Sequence, residues 1–277
     1  MPSSRTISAN GIELFVLEQG QGPLVLLCHG WPELSYSWRH QIPAIAAAGF
    51  HVAAPDMRGF GRSSAPAEIG AYSIFDNVGD MVALVTALGE EQAVIVGHDW
   101  GAPVAWHAAM FRPDMFTKVA GEAEFERDVA LTMRQVLGRG VSDPAALYIT
   151  EGKGFLGNID PVVKLPDWLT EADIAYFADA YRTSGFRGGL NWYRNLDRNW
   201  ELTAPWQGAQ IQQPSLFVAG SMDSVITGLI GAKRVTELER VLPNLRQKLI
   251  IEGAGHWVQQ ERPDEVNAAL IGFLKNQ

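Results

Sequence analysis

The stretch Val94-Ile95-Val96-Gly97-His98-Asp99-Trp100-Gly101-Ala102 decides how the chain is read. Its β-branched apolar run predicts a buried strand, which breaks at Gly97. From Ala102 to Phe111 apolar residues return every three or four positions, the period of a helix. Small residues stand two places before Asp99 and two and three places after it. That is the spacing of the strand–turn–helix nucleophile elbow, G-x-S-x-G, with aspartate in the place of serine. Glycine is needed because the turn brings backbone segments too close for side chains, and the central residue is forced outward. The competing reading makes Asp99 an ordinary N-cap of the following helix.

Working outward, further short apolar runs alternate with helical patterns. Strands are expected at Glu13–Glu18, Leu24–Cys28, His51–Ala54, Ala93–Gly97, Lys118–Ala120, Leu216–Ala219 and Lys248–Ile251. Helices are expected at Phe75–Leu88, Ala102–Phe111 and Glu265–Leu274. This alternation predicts an α/β fold with a mostly parallel sheet flanked by helices. The segment from Gly121 to Pro205 departs from it: helix-like, rich in tyrosine and tryptophan, and punctuated by Gly152, Gly154, Gly157, Pro161 and Pro166. We read residues 121–205 as a helical lid inserted into a core of residues 1–120 and 206–277. Such a lid lies naturally over the carboxyl ends of the strands, where open α/β sheets place ligands. A purely structural helical subdomain is the alternative.

Composition narrows the function classes. The 277 residues are 47% hydrophobic, enough for a sizeable core without a disulfide or metal staple. Lysine and arginine number 22 against 31 acidic residues, a formal charge of −9, which argues against nucleic acid as the main partner. Cys28 is the only cysteine, so no internal disulfide and no thiolate zinc cluster is possible. Met1-Pro2-Ser3-Ser4-Arg5-Thr6 lacks the apolar core of a secretory signal. No stretch approaches the roughly 18 uninterrupted apolar residues of a membrane span. The expectation is a cytoplasmic globular protein acting without a membrane, with its oligomeric state unread.

Two other strand ends complete a constellation with Asp99. Leu26-Leu27-Cys28-His29-Gly30-Trp31-Pro32 ends a strand in a glycine turn, the loop that supplies one backbone N–H of an oxyanion hole in this architecture. The residue after the nucleophile supplies the other, so the expected donors are Trp31 and Trp100. His29 is read as a hydrogen-bonding buttress of that loop. Ile250-Ile251-Glu252-Gly253-Ala254-Gly255-His256-Trp257 leaves a glycine-flanked histidine past a late strand, suited to a general base. Phe217-Val218-Ala219-Gly220-Ser221-Met222-Asp223 leaves an acid that could orient it. Taken singly, Asp223 reads as a turn residue and His256 as a loop histidine; together, Asp99, Asp223, His256 is the nucleophile–acid–histidine order of the fold. His40 and His107 lie in helical patterns, His51 begins a strand, and His98 packs beside the elbow. No H-x-x-x-H spacing occurs, so no catalytic metal and no cofactor is expected.

On these motifs the chain resembles the α/β-hydrolase superfamily, and within it the soluble epoxide hydrolases. The resemblance also takes in Gly185-Phe186-Arg187-Gly188-Gly189-Leu190-Asn191-Trp192-Tyr193-Arg194-Asn195 of the insertion. It implies a lid after the sixth strand, a small-molecule epoxide and water as partners, and a lid tyrosine, here Tyr193, hydrogen-bonded to the epoxide oxygen. Trp31 and Trp100 would line the substrate site with it. The chemistry agrees, because a carboxylate is already ionised at neutral pH and attacks saturated carbon without a proton transfer. In one respect the chain departs from the family: about thirty residues of connection are missing at Ala120/Gly121, by deletion or by a break in the chain. A strand running straight into a lid helix favours a break. Tyr148, Tyr176 and Tyr181 lie in the lid, but none takes the family's second tyrosine position. A haloalkane dehalogenase shares the aspartate nucleophile and is the nearest rival. The absence of arginines just after Asp99 disfavours a fluoroacetate-type enzyme, and the absence of serine an esterase. A non-catalytic ligand-binding protein of the same fold stays open.

Overall fold

Leu24, Leu26 and Cys28 of strand β3 (Leu24–Cys28) point into one hydrophobic core, and Val25 and Leu27 into a second. In β5 (Ala93–Gly97), Ala93 and Ile95 join the first core, Val94 and Val96 the second. Period-two geometry sends alternate side chains to opposite faces, so an unbroken apolar run means that both faces are covered.

The structure is a computed structural model that describes residues 2–120, 137 and 164–276. Among the described residues one eight-stranded sheet runs in the order β1-β2-β4-β3-β5-β6-β7-β8. The remaining strands are β1 (Ser3–Ala9), β2 (Ile12–Gln19), β4 (His51–Pro55), β6 (Phe116–Ala120), β7 (Ser215–Gly220) and β8 (Leu245–Ile251). β2 pairs antiparallel with β1 and β4, and all other neighbours are parallel. All seven expected strands are present. β1 escapes a reading of apolar periodicity because five of its seven residues are exposed. Helix α1 (Gln41–Ala47) escapes it too, since Pro43 reads as a breaker; in the first helical turn, however, proline forfeits no hydrogen bond.

Helices α2 (Ile74–Ala87) and α3 (Gly101–Phe111) fall within one residue of their expected bounds. Ser73 and Asp76 form a reciprocal capping box at the start of α2, and Gly89, at φ +84°, turns the chain beyond its end. The expected C-terminal helix extends over Pro263–Lys275.

The sheet's connectivity gathers the loops of interest at one edge. β3 lies between β4 and β5, so the chain leaves β3 toward one side while β5 lies on the other, a topological switch point. Pairing of Cys28 with Gly97 brings the loop after β3 beside the elbow after β5. Pairing of Gly220 with Ile251 likewise brings the ends of β7 and β8 together.

Between β6 and β7 the described chain is helical, over Glu171–Ser184, Arg187–Arg194 and Leu196–Thr203. The first of these opens on a Thr170–Asp173 capping box and ends at Gly185. The expected discontinuity at Ala120/Gly121, and Tyr148, lie outside the described residues. Helix Arg187–Arg194 sits backbone to backbone on the core: a Cβ on Gly188 would lie 2.1 Å from the Gly59 carbonyl oxygen. Trp192 Nε1 donates to the Arg58 carbonyl at 3.0 Å, and Asn195 Nδ2 to that of Ile69 at 2.7 Å.

Candidate active site

Asp99 occupies the elbow with φ +54°, a left-handed conformation that few non-glycine residues adopt, and its side chain is fully buried. The neighbouring glycines are dictated by contact. A Cβ on Gly97 would lie 2.1 Å from Gly101 O, one on Gly101 2.1 Å from Cys28 O, and one on Gly30 2.0 Å from the Asp99 side chain. The expected oxyanion loop therefore packs directly on the carboxylate. The Trp31 N–H donates to Asp99 Oδ1, and the Trp100 N–H helps to hold the carboxylate's pKa down. Oδ2 has no hydrogen-bond partner among the described residues.

His29 acts as the expected buttress. The Met57 N–H donates to Nε2 at 2.9 Å, which leaves Nδ1 to donate to Gly30 O at 2.7 Å. Burial pushes its pKa down, in keeping with this neutral ring.

Beyond β8, His256 is fully buried, with Nδ1 2.9 Å from Asp223 Oδ2 and Nε2 3.7 Å from Asp99 Oδ2. Asp223 Oδ1 accepts from the Val225 N–H at 2.9 Å, so this residue is at once a helix cap and the partner of the imidazole. The Glu261 carboxylate accepts from the N–H groups on both sides of His256, those of Gly255 at 2.7 Å and Trp257 at 2.9 Å. Burial alone would push the His256 pKa down, but the Asp223 and Asp99 carboxylates hold it up at about 10. Burial raises the pKa of Asp99, opposed by His256 and the Trp100 N–H.

Two features go beyond the sequence reading. His98 donates from Nδ1 to Glu33 Oε2 at 2.6 Å and from Nε2 to the His256 carbonyl at 2.9 Å. Glu33 in turn accepts from the Gly30 N–H at 3.1 Å and from the Gln259 and Gln260 amides at 2.7 and 3.1 Å. One buried carboxylate thus joins the oxyanion loop, the elbow and the histidine loop. Burial would raise the Glu33 pKa, yet the His98 ring and the other donors bring it to about 2. An acid directly after Gly30-Trp31-Pro32 was the available signal in the sequence.

Tyr193 projects from helix Arg187–Arg194 with its ring edge-on to those of Trp100 and Trp31, at 4.9 and 6.4 Å between centroids. The structure therefore brings Asp99, Asp223, His256, Trp31 and Trp100 together and sets Tyr193 against both tryptophans. Tyr176 and Tyr181 stack on Tyr36 and Phe186 at 4.0 and 4.5 Å, and the Tyr181 hydroxyl donates to the Glu33 carbonyl at 3.3 Å. Among the described residues no group of three His, Cys, Asp or Glu could hold a metal ion, and no helix is long and apolar enough to cross a membrane.

The family model of the alpha/beta hydrolase fold matches residues 23–150. Epoxide hydrolase A of Mycobacterium tuberculosis is 40% identical over 317 aligned positions, spanning 99% of this chain and 97% of that protein. The chain belongs to the epoxide hydrolases. Epoxide hydrolase 2 of Siraitia grosvenorii is 38% identical, over 98% of this chain and 97% of that one. In three dimensions the crystal structure of epoxide hydrolase A from Mycobacterium thermoresistibile superposes with a TM-score of 0.92 at 41% identity, covering 100% of this chain and 99% of that chain. The 317 aligned positions exceed the 277 residues here, so the M. tuberculosis epoxide hydrolase carries at least 40 positions without a counterpart in this chain.

Proposed function

We propose that the protein opens epoxides to vicinal diols through a covalent ester on Asp99. The observation that carries this reading is the asymmetry of the carboxylate: Oδ1 already lies on the Trp31 N–H, while Oδ2 faces His256 and has no hydrogen bond among the described residues. Oδ2 attacks an epoxide carbon, the ring C–O bond breaks, and Tyr193 gives its hydroxyl proton to the departing oxygen. Alkylation neutralises Asp99 and removes one of the two anions that keep His256 protonated. Burial then drives the imidazole to release its proton, which replaces the one lost by the phenol.

Neutral His256, oriented by Asp223, takes a proton from water as the water attacks the ester carbonyl carbon. The tetrahedral oxyanion develops on Oδ1, the atom the Trp31 N–H already serves, with the Trp100 N–H as the second donor, so the first donor needs no rearrangement. On collapse the remaining proton of the attacking water passes to the departing alkoxide, which gives the diol and the Asp99 carboxylate and leaves His256 protonated as at the start. We further propose residues 121–205 as the lid and residues 1–120 with 206–277 as the core, and an epoxide and water as the reactants.

A single turnover of an aryl epoxide in ¹⁸O-enriched water tests the scheme. The first diol should be unlabelled, with the heavy oxygen retained at Asp99. Label in that diol would mean direct attack by water and would overturn it.

A further inference from the structure

Trp31 and Trp100 are each more than nine-tenths buried, yet neither indole Nε1 has a hydrogen-bond partner among the described residues. Trp192 nearby shows the usual outcome, donating from Nε1 to Arg58 O at 3.0 Å. Both indole rings pack edge-on against Tyr193. A Cβ on Gly189 would lie 2.6 Å from Trp31 Nε1. Gly189 is one helical turn before Tyr193, so the N–H edge of Trp31 runs along the helix face that carries the tyrosine. Buried donors without an acceptor beside a carboxylate nucleophile suit a group that leaves as an anion and needs no proton.

We propose that these two indole N–H groups grip a halide leaving group, so that the same site also hydrolyses primary haloalkanes. This rests on the reading of Asp99 as nucleophile. Asp99 Oδ2 forms a bond to the primary carbon as the carbon–bromine bond breaks, and bromide leaves with the electron pair. Water then cleaves the ester as above. The products are the alcohol, bromide and one proton released to solvent. While the ester persists the halide faces no carboxylate, and the anion regenerated on hydrolysis repels it from the site.

The test pairs 1-bromohexane with 1,2-epoxyhexane on the same enzyme, reading bromide and diol. Expected is bromide release that Asp99→Ala abolishes, and a hexyl adduct on His256→Gln detected by intact-protein mass spectrometry. Trp31→Phe and Trp100→Phe keep the rings and delete the donors. Each should lower the ratio of bromoalkane to epoxide turnover about tenfold, the effect of losing one hydrogen bond to an anion. Diol formation with no bromide above the Asp99→Ala background would overturn the halide site and leave the epoxide reading standing. An unchanged ratio in both tryptophan variants would overturn the indole grip. Neither diol nor bromide would overturn both readings.

Discussion

His256 Nε2 lies 3.7 Å from Asp99 Oδ2, beyond hydrogen-bond range, while Nδ1 of the same ring is held by Asp223 at 2.9 Å. The imidazole is oriented on its far side by Asp223, and its near nitrogen is turned toward the carboxylate that would carry the ester. His256→Gln should therefore still alkylate but fail to hydrolyse the ester. Mass spectrometry of that variant after incubation with an epoxide is expected to show a stable adduct, and its absence under saturating epoxide would contradict the two-step scheme.

The raised pKa of His256 fixes a sign for stability against pH. Its folded value of about 10 exceeds the ordinary 6.5, so its contribution is complete below 6.5 and disappears as pH rises through about 10. Urea unfolding should show the wild type losing stability relative to His256→Gln across that window. Parallel curves from pH 6.5 to 10 would refute the assignment.

Glu33 behaves in the opposite sense. Its folded pKa of about 2 lies below the ordinary 4.5, so its contribution is present above 4.5 and lost as pH falls toward 2. Glu33→Ala strands donors from Gly30, His98, Gln259 and Gln260, and should destabilise the fold by about 3–5 kcal/mol. Glu33→Gln, close in shape, should retain more stability and lack the acid-side loss. Denaturant titrations at pH 7 and pH 3 distinguish the two.

Tyr193→Phe should slow epoxide opening about 10²–10⁴-fold, the usual worth of a positioned acid. Hydrolysis of the ester should be unaffected. Rapid-quench measurement of alkylation, separate from diol release, decides between this role and simple packing against Trp100.

Gly188→Ala places a methyl group against the Gly59 backbone, which has no side chain to give way. Helix Arg187–Arg194 must shift, and a displacement near 1 Å at a catalytic group is worth about a hundredfold in rate. We expect kcat/KM to fall by that order while the far-UV circular dichroism of the sheet and α1–α3 is preserved.

The elbow, the oxyanion loop and the histidine loop were legible in the sequence because each is a strand end whose glycines are forced by local backbone contact. The Glu33 junction was not, because its partners at positions 30, 98, 259 and 260 meet only through the sheet order. Glu261 was hidden for a related reason: its role depends on a short helix that folds it back onto the N–H groups around His256. β1 and α1 were missed where apolar content was thin or a proline misled. Tyr193 was reached through resemblance, and its approach to both tryptophans depends on the glycine seat at 188 and 189, which no periodicity signals.

Asp99 is asked to be anionic, fully enclosed and left-handed at once. Each demand works against folding, and only the charge is partly offset, by the Trp31 N–H and by His256. Chemical reactivity is thus stored as a standing weakness at the carboxyl end of a central strand. Glycine at 99, at ease in that backbone conformation and uncharged, should melt higher than the native enzyme and catalyse nothing. Selecting variants of this protein by heat resistance alone would enrich for inert molecules.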